Sequence, residues 1–575
     1  MKSSLITAGC VVLLVLLLPL KTHSQDWERI APKPVPKKAP MMEIPKELPT
    51  PRVEEDVVIL DRLSGIRFVT LKEEISSDPK KLGQYFIEAP NFPLLQTEKF
   101  VKYMHNYFEN PLTVNNLNKL VQDVVSYFRD HDLPVVYVVV PEQKIVNAVL
   151  QVLVIEGRIG EVIPEGNEWF TDRVLLERIS LEPNDRIKSS QMRSDLEWVN
   201  VNPFREVNFV LRPGKDIGKT DLLLRTKDRW PVRFYGGFED TGFDLTHDER
   251  WLLGVNWGDV FWTDAQANFQ FMTDREWELY YAWSGSIVVQ LPWRHLLQVF
   301  GSYSDVTGDI EEPIKQTGFA WQLSTRYTVP LGWIKEYRHE TYLGWDLKQS
   351  NNTLEFGGFD ALDSLTDVVQ WLGGYNGTLR DPLGVTSAGI ELVWSPGGIT
   401  PHNTSYNFVE IRELAEADYF YGKVFVNRLT RLPWDFTISS RFEYQFSDTN
   451  LLPSEQYGLG GYTTVRGYDE REANGDNGWL LSQELRTPPL SLFQLIDETA
   501  FDELQFLGFW DYGSVYNEKL LIGEQAHVEF MSIGTGVRYQ VAPYLTFRFD
   551  YGWHLRHGIA HRHNHRMHIG FVVGN

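Results

Sequence analysis

Between Trp230 and Asn575 apolar and polar residues alternate with a period of two, stretch after stretch, and this restricts the fold more than any other feature. Successive side chains of a strand point to opposite faces, so each such stretch has one apolar and one polar side. RFYGGFED, WLLGVNWG, DAQANFQFM, ELYYAWSGSIVVQL, LLQVFGSYS and FAWQLSTRYTV come first. YFYGKVFVNRL, DFTISSRFEYQF, GWLLSQELR, LQFLGFWDYGSVY, MSIGTGVRYQV and YLTFRFDYGWHL follow. Polar Gly/Asp/Asn turns separate them, and Trp251, Trp257, Trp262, Trp277, Trp283, Trp293 and Trp333 recur near their ends. Strands of about 9–11 residues with aromatics at both ends are the signature of a transmembrane β-barrel. About 345 residues at roughly 20 per strand and connection predict about 16 antiparallel strands. A soluble β-sandwich or propeller is the competing architecture, and the N-terminus weighs against it.

There, Lys2 precedes an apolar run from Leu5 to Leu20, closed by Lys21 and followed by Thr22-His23-Ser24. That layout predicts a secretory signal peptide over residues 1–24. The run is too short for a spanning helix, and no later run could form one. An exported chain of this kind can enter a membrane only as a barrel. Cys10, the single cysteine, falls in the leader, so the mature chain would have no disulfide, thiol nucleophile or cysteine-ligated metal. A net charge of −22 argues against nucleic acid as a partner, because a phosphate backbone needs a basic footprint.

Residues 25–55 (APKPVPKKAPMMEIPKELPTP at their centre) are rich in Pro and Lys, which predicts an extended periplasmic tether. From residue 56 the pattern turns to mixed α and β. VVILDRLSGIRFVTL reads as strand, TEKFVKYMHNYF and NNLNKLVQDVVSYFRDH as helices, and PVVYVVV and AVLQVLVIEG as strands. In the second helix Leu117, Leu120, Val121, Val124, Val125 and Phe128 fall at helical spacing. RIGEVIPEG, TDRVLLERI, SSQMRSDLEWV, EVNFVLRPG and TDLLLRTKD repeat the plan. Two small α+β modules in tandem, over 56–157 and 158–228, precede the barrel of 229–575.

Several segments resemble one family, the two-partner-secretion outer-membrane transporters, which export haemolysins and filamentous adhesins. Pro141, Gln143 and the Glu156-Gly157 pair resemble the signatures of its first periplasmic POTRA module. Asn202-Pro203, Arg205, Gly214, Gly218, Asp221 and Pro231 resemble the end of its second. Val465-Arg466-Gly467-Tyr468 is similar to the family's VRGY motif, carried on a long loop that folds back into the pore. Phe509, Asp511 and Gly513 match its Phe-x-Asp-x-Gly on a nearby strand. In two respects the chain departs from the family. The tether shows no amphipathic helix to plug the pore, and Phe571 is followed by Val-Val-Gly-Asn rather than ending the barrel on an aromatic.

The resemblance implies a fold of two POTRA modules before a 16-stranded barrel, in the outer membrane of a diderm bacterium. It implies a passive pore that takes an unfolded secreted exoprotein from the periplasm to the cell surface. The outer-membrane lipid, periplasmic chaperones and the barrel-assembly machinery are the further partners. A barrel-assembly insertase and a diffusion porin are the alternatives. It also implies an ion pair between Arg466 and Asp511, because a guanidinium brought into a barrel needs a carboxylate that matches its planar fork. Glu484 and Asp550 are the next candidates for that partner.

The modules are expected to take cargo by β-augmentation along an exposed strand edge. Tyr137 and Val139 are assigned to the module core rather than to a groove. His554, His557, His561, His563, His565 and His568 are assigned to an exposed loop on the last surface hairpin, with spacing that can bind zinc or nickel adventitiously. There is no G-x-S-x-G, H-E-x-x-H or phosphate-binding loop, so neither an enzyme nor a cofactor is expected.

Overall fold

In a computed structural model of the chain the described residues are 30–36, 42–43 and 56–575, apart from 81, 84, 243–245, 309–313, 357–358, 494–501, 522–524 and 560–562. The signal-peptide region 1–24 and most of the tether lie outside them. Two compact units emerge. One is Lys38–Arg229; the other is Trp230–Asn575 together with the described residues up to 36.

The first unit holds two four-stranded sheets. In module 1, β1 (Gly65–Val69), β2 (Phe86–Glu88), β3 (Val136–Val139) and β4 (Val149–Glu156) lie in the order β2-β1-β4-β3. The strand at Phe86–Glu88 is additional to the sequence reading; at three residues it is too short for a period to register. Helix α1 (Val114–Asp130) starts where the Thr113 hydroxyl accepts from the Asn116 amide at 3.1 Å. It buries Leu120, Val124, Val125, Tyr127 and Phe128 against Ile66, Phe68 and Val152 of the sheet.

Alternation along β3 puts Val136 and Val138 into that core and leaves Tyr137 and Val139 outside, 42% and 51% exposed. The assignment of these two to the core is therefore corrected. In an all-apolar PVVYVVV run the period of two is invisible, and both faces look alike.

Module 2 repeats the plan with β5 (Arg158–Glu165), α2 (Ser189–Val199), β6 (Arg205–Pro213) and β7 (Lys219–Asp228). The motif residues here are structural. Arg205 is buried, donates to the Val199 carbonyl at 2.7 Å and lies over the Phe170 ring. Asp221 accepts from the Glu161 amide at 3.0 Å, close above Gly160 and Gly214. Met42–Glu43, from the stretch read as tether, forms a fourth strand parallel to β6, Met42 opposite Phe209 and Glu43 opposite Val210.

In the second unit 16 strands, β8 to β23, close into an antiparallel barrel. It runs from β8 (Val232–Glu239) to β23 (His565–Gly574), and these two pair from Tyr235↔Gly574 to Glu239↔Gly570. Outward Phe234, Trp251, Leu253, Phe269 and Trp283 alternate with inward, buried Tyr235, Leu252, Gln270 and Ser284. An apolar outside and a mixed, largely polar inside is the dyad pattern of a membrane barrel. Among the described residues no helix is long and apolar enough to cross a membrane.

β13 (Ile314–Ile334), β14 (Tyr337–Phe356) and β15 (Phe359–Asp381) run to 21, 20 and 23 residues. They are twice the predicted 9–11. A span needs only about ten residues, so about half of each strand stands beyond the hydrocarbon layer. Outside the membrane no apolar face is required, and the alternation that marks a spanning strand disappears.

Candidate functional site

The long connection between β18 (Thr437–Ser447) and β19 (Asn477–Arg486) turns into the barrel and carries Val465-Arg466-Gly467-Tyr468 at its tip. The Arg466 guanidinium is 4% exposed and sits against β20 (Asp502–Tyr516), whose Asp511 is fully buried. Nε donates to Asp511 Oδ2 at 2.7 Å and Nη2 to Oδ1 at 2.9 Å, a two-pronged contact. The Arg466 amide donates to the same carboxylate at 3.2 Å.

The contacts extend past this pair. Arg466 Nη1 reaches Glu484 at 2.5 Å and Asp550 at 3.4 Å. Arg486 in turn holds Glu484 at 2.5 Å, and Arg538 holds Asp550 at 2.9 Å. Three arginines and three carboxylates thus form one network of zero net charge. Glu484 and Asp550 are additional partners of Arg466 rather than substitutes for Asp511.

The other motif residues fit the loop sterically. The Arg466 guanidinium carbon lies 3.7 Å from the centre of the Phe509 ring, a cation–π contact. A Cβ on Gly513 would meet Leu459 at 2.6 Å and the Trp479 carbonyl at 2.9 Å, with Val465 at 3.3 Å. Glycine there makes room for the loop. Val465 is buried with Leu459, Tyr468, Leu480, Val515 and Phe530. Side chains alternate along β20, so Phe509, Asp511 and Gly513 share its inner face.

The loop stem has its own anchors. Arg412, just beyond α3 (Ser405–Ile411), pairs with buried Asp476 at 2.5 Å. Glu455 pairs with Lys348 at 2.8 Å and accepts from Tyr421 at 2.9 Å.

A second element inside the barrel went unread in the sequence. Ile30 is buried among Tyr235, Leu252, Met272, Tyr280 and Ala282, on the inner face of β8, β9 (Arg250–Trp257), β10 (Gln266–Thr273) and β11 (Tyr280–Gln290). Its carbonyl accepts from Gln270 at 3.0 Å. The Lys33 amide donates to the Tyr235 hydroxyl at 3.0 Å, its carbonyl accepts from Asn256 at 3.1 Å, and its ammonium pairs with Glu239 at 2.8 Å. The tether reading of 25–55 is corrected for these residues. Two prolines deny the backbone internal partners, and the barrel wall supplies them.

The histidines are corrected as well. His557, His563 and His565 are exposed, and His561 lies outside the described residues. His554 and His568 instead face inward and touch the loop tip. Among the described residues no group of three His, Cys, Asp or Glu side chains is placed to hold a metal ion.

Residues 218–539, more than half of the chain, match the family described as haemolysin secretion/activation protein ShlB/FhaC/HecB. The chain belongs to this family. Residues 87–157 match the ShlB-type POTRA domain. The heme/hemopexin transporter protein HuxB of Haemophilus influenzae is 19% identical over 535 residues, 84% of this chain and 90% of that one. The outer membrane transporter CdiB of Dickeya dadantii is 22% identical over 444 residues, 72% of each chain. The solved CdiB from Escherichia coli shares the fold with a TM-score of 0.70 at 14% identity, covering 93% of this chain and 94% of that one. The CdiB from Acinetobacter baumannii gives 0.61 at 15% identity. The protein is an outer-membrane two-partner-secretion transporter with periplasmic POTRA modules, and its family consists of transporters.

Proposed function

We propose that this transporter captures its unfolded exoprotein on the free edge of β3 and passes it through the barrel once Ile30–Lys33 and the inward loop move aside. The observation that carries the reading is the β3 edge. The Gly157 amide donates to the Val135 carbonyl at 2.9 Å, and antiparallel alternation then turns the amides of Val136 and Val138 outward. Exposed Tyr137 and Val139 flank those open groups. An extended cargo segment adds as a fifth strand, with affinity from backbone hydrogen bonds and little demand on sequence.

In this reading Arg466 and Asp511 keep the loop seated when no cargo is present. Family membership favours export over the insertase and porin readings. Outer-membrane lipid around the barrel, periplasmic chaperones and the assembly machinery complete the set of partners. The test is Val138→Pro, which removes one outward amide and leaves the bonds between β3 and β4 in place. Secretion should fall to background while heat-modifiable migration of the barrel on gels stays normal. Undiminished secretion would refute capture at this edge.

A further inference from the structure

The histidine-rich stretch contributes two side chains that the transport reading leaves without a role. His554 ends β22 (Leu545–His554), and His568 lies on the neighbouring β23. Both address a single residue, Gly467. Its amide donates to His568 Nε2 at 3.1 Å, and its carbonyl accepts from His554 Nε2. The two rings must therefore differ at Nε2, where His568 is bare and His554 carries a proton. The remaining proton of His568 is on Nδ1, which faces the Asp240 carboxylate at 3.9 Å.

Around this point the loop lies flat on the wall. Gly467 has φ +97, and a Cβ there would stand 3.0 Å from the Gly552 carbonyl carbon. A Cβ on Gly552 would stand 2.8 Å from the Gly467 Cα, so neither position tolerates a side chain without displacing the loop. Tyr468 is stacked between His554, at 3.8 Å and 3°, and Phe530, at 4.2 Å and 11°. Its hydroxyl donates to the Arg556 carbonyl at 2.7 Å and accepts from the Met531 amide at 3.2 Å.

We propose that His554 and His568 are positioning residues that grip both polar groups of Gly467 and fix the inward loop on the β22–β23 hairpin, beside the seam where β23 closes on β8. The grip is distinct from the Arg466 network. It acts on the two backbone polar groups of the next residue along, and although β22 carries Asp550 as well as His554, neither histidine bonds to a member of that network. His568 serves through an acceptor at one fixed distance from its backbone, so what matters is the position of that atom rather than the volume of the ring. The importance of the grip for export rests on the transport reading; the grip itself does not.

The experiment uses the full chain in outer-membrane vesicles without cargo, with Cys10 replaced and a reporter cysteine at Val465, which is buried while the loop is seated. Maleimide labelling then reports loop release. Gln carries its carbonyl oxygen where His carries Nε2, whereas Asn is one methylene shorter. His568→Gln should label within about twofold of the parent, and His568→Asn and His568→Phe about tenfold faster, the loss of one buried hydrogen bond. Should His568→Phe fail to insert, the Gln and Asn variants decide alone. Equal labelling of Gln and Asn would overturn the proposal, as would parental labelling of His568→Phe. Secretion, read separately, distinguishes the two ideas: a clamp that behaves as predicted in a protein that exports nothing would sink only the transport reading.

Discussion

Removing Arg466, Asp511 or both gives a prediction whose size follows from charge balance. Arg466→Ala leaves Asp511 fully buried, with the Ser482 hydroxyl at 2.5 Å as its remaining side-chain donor. Glu484 still has Arg486 and Asp550 still has Arg538, so the cost falls almost entirely on Asp511. Stranding one charge of a buried pair costs about 3–5 kcal/mol. Asp511→Ala strands Arg466 less completely, since Glu484 remains at 2.5 Å, and should cost about 1.5–3 kcal/mol, the worth of hydrogen bonds to a charged group. The double variant leaves two arginines facing two carboxylates, neutral again. It should be no worse than Arg466→Ala alone, with a coupling energy of about 2 kcal/mol. Arg466→Lys should recover little, because an ammonium cannot hold both Asp511 oxygens and Glu484 at once. The assay is loop release by labelling at Val465→Cys, buried while the loop is seated, alongside secretion, with heat-modifiability confirming that each barrel is inserted. Strictly additive losses in the double variant would show that the two charges do not depend on one another, and the network account would fail.

Two further outcomes test the same interior. Lys33→Ala removes the 2.8 Å pair with Glu239 and loosens Ile30–Lys33 from the wall, so single-channel conductance should become larger or less stable. Unchanged conductance would show that this segment does not limit the pore. Gly513→Ala places a methyl 2.6 Å from Leu459 and 2.9 Å from a backbone carbonyl. Overpacking of this kind costs about 1–3 kcal/mol, so loop labelling should rise about tenfold with Arg466 and Asp511 both intact; parental labelling would mean Gly513 does not set the seat of the loop.

What could be read from the sequence was whatever repeats or stands at fixed spacing. Alternation revealed the barrel because lipid outside and water inside impose it on every spanning strand, and α1 was revealed by six apolar residues on one face. Where β13–β15 leave the membrane that constraint ends, and their length was not legible. Tyr137 and Val139 were misassigned because every neighbour in PVVYVVV is apolar, so only the fold decides which face is covered. Ile30–Lys33 carries no periodic signal in four residues; its partners are more than 200 positions away. His554 and His568 were hidden by composition, since a histidine-rich stretch looks the same whether its rings face solvent or a glycine. Glu484 and Asp550 were visible as candidates but not as members of one network, because strand register is needed to bring Ser482 opposite Asp511 and Glu484 opposite Phe509.

The kind of contact that holds the loop bears on whether it can move. A tip seated only by Val465 and Tyr468 would lose apolar burial on leaving and gain nothing from a wet lumen. Arg466 differs. Once the loop lifts away, water can solvate the guanidinium, and the wall keeps two arginines against three carboxylates, an excess of a single negative charge that lumen water and ions can screen. The seated state is then favoured by a few kcal/mol rather than by tens, a range in which a bound partner can shift a two-state equilibrium by its differential affinity alone. In the proposed reading, cargo that can occupy the lumen only when the loop is lifted has to supply only a few kcal/mol of such bias, a few net hydrogen bonds at about 0.5–1.5 kcal/mol each. A polar, charge-balanced seat is thus what a loop needs if it is to close a pore in the resting state and still yield to an unfolded chain, with no nucleotide hydrolysis behind it.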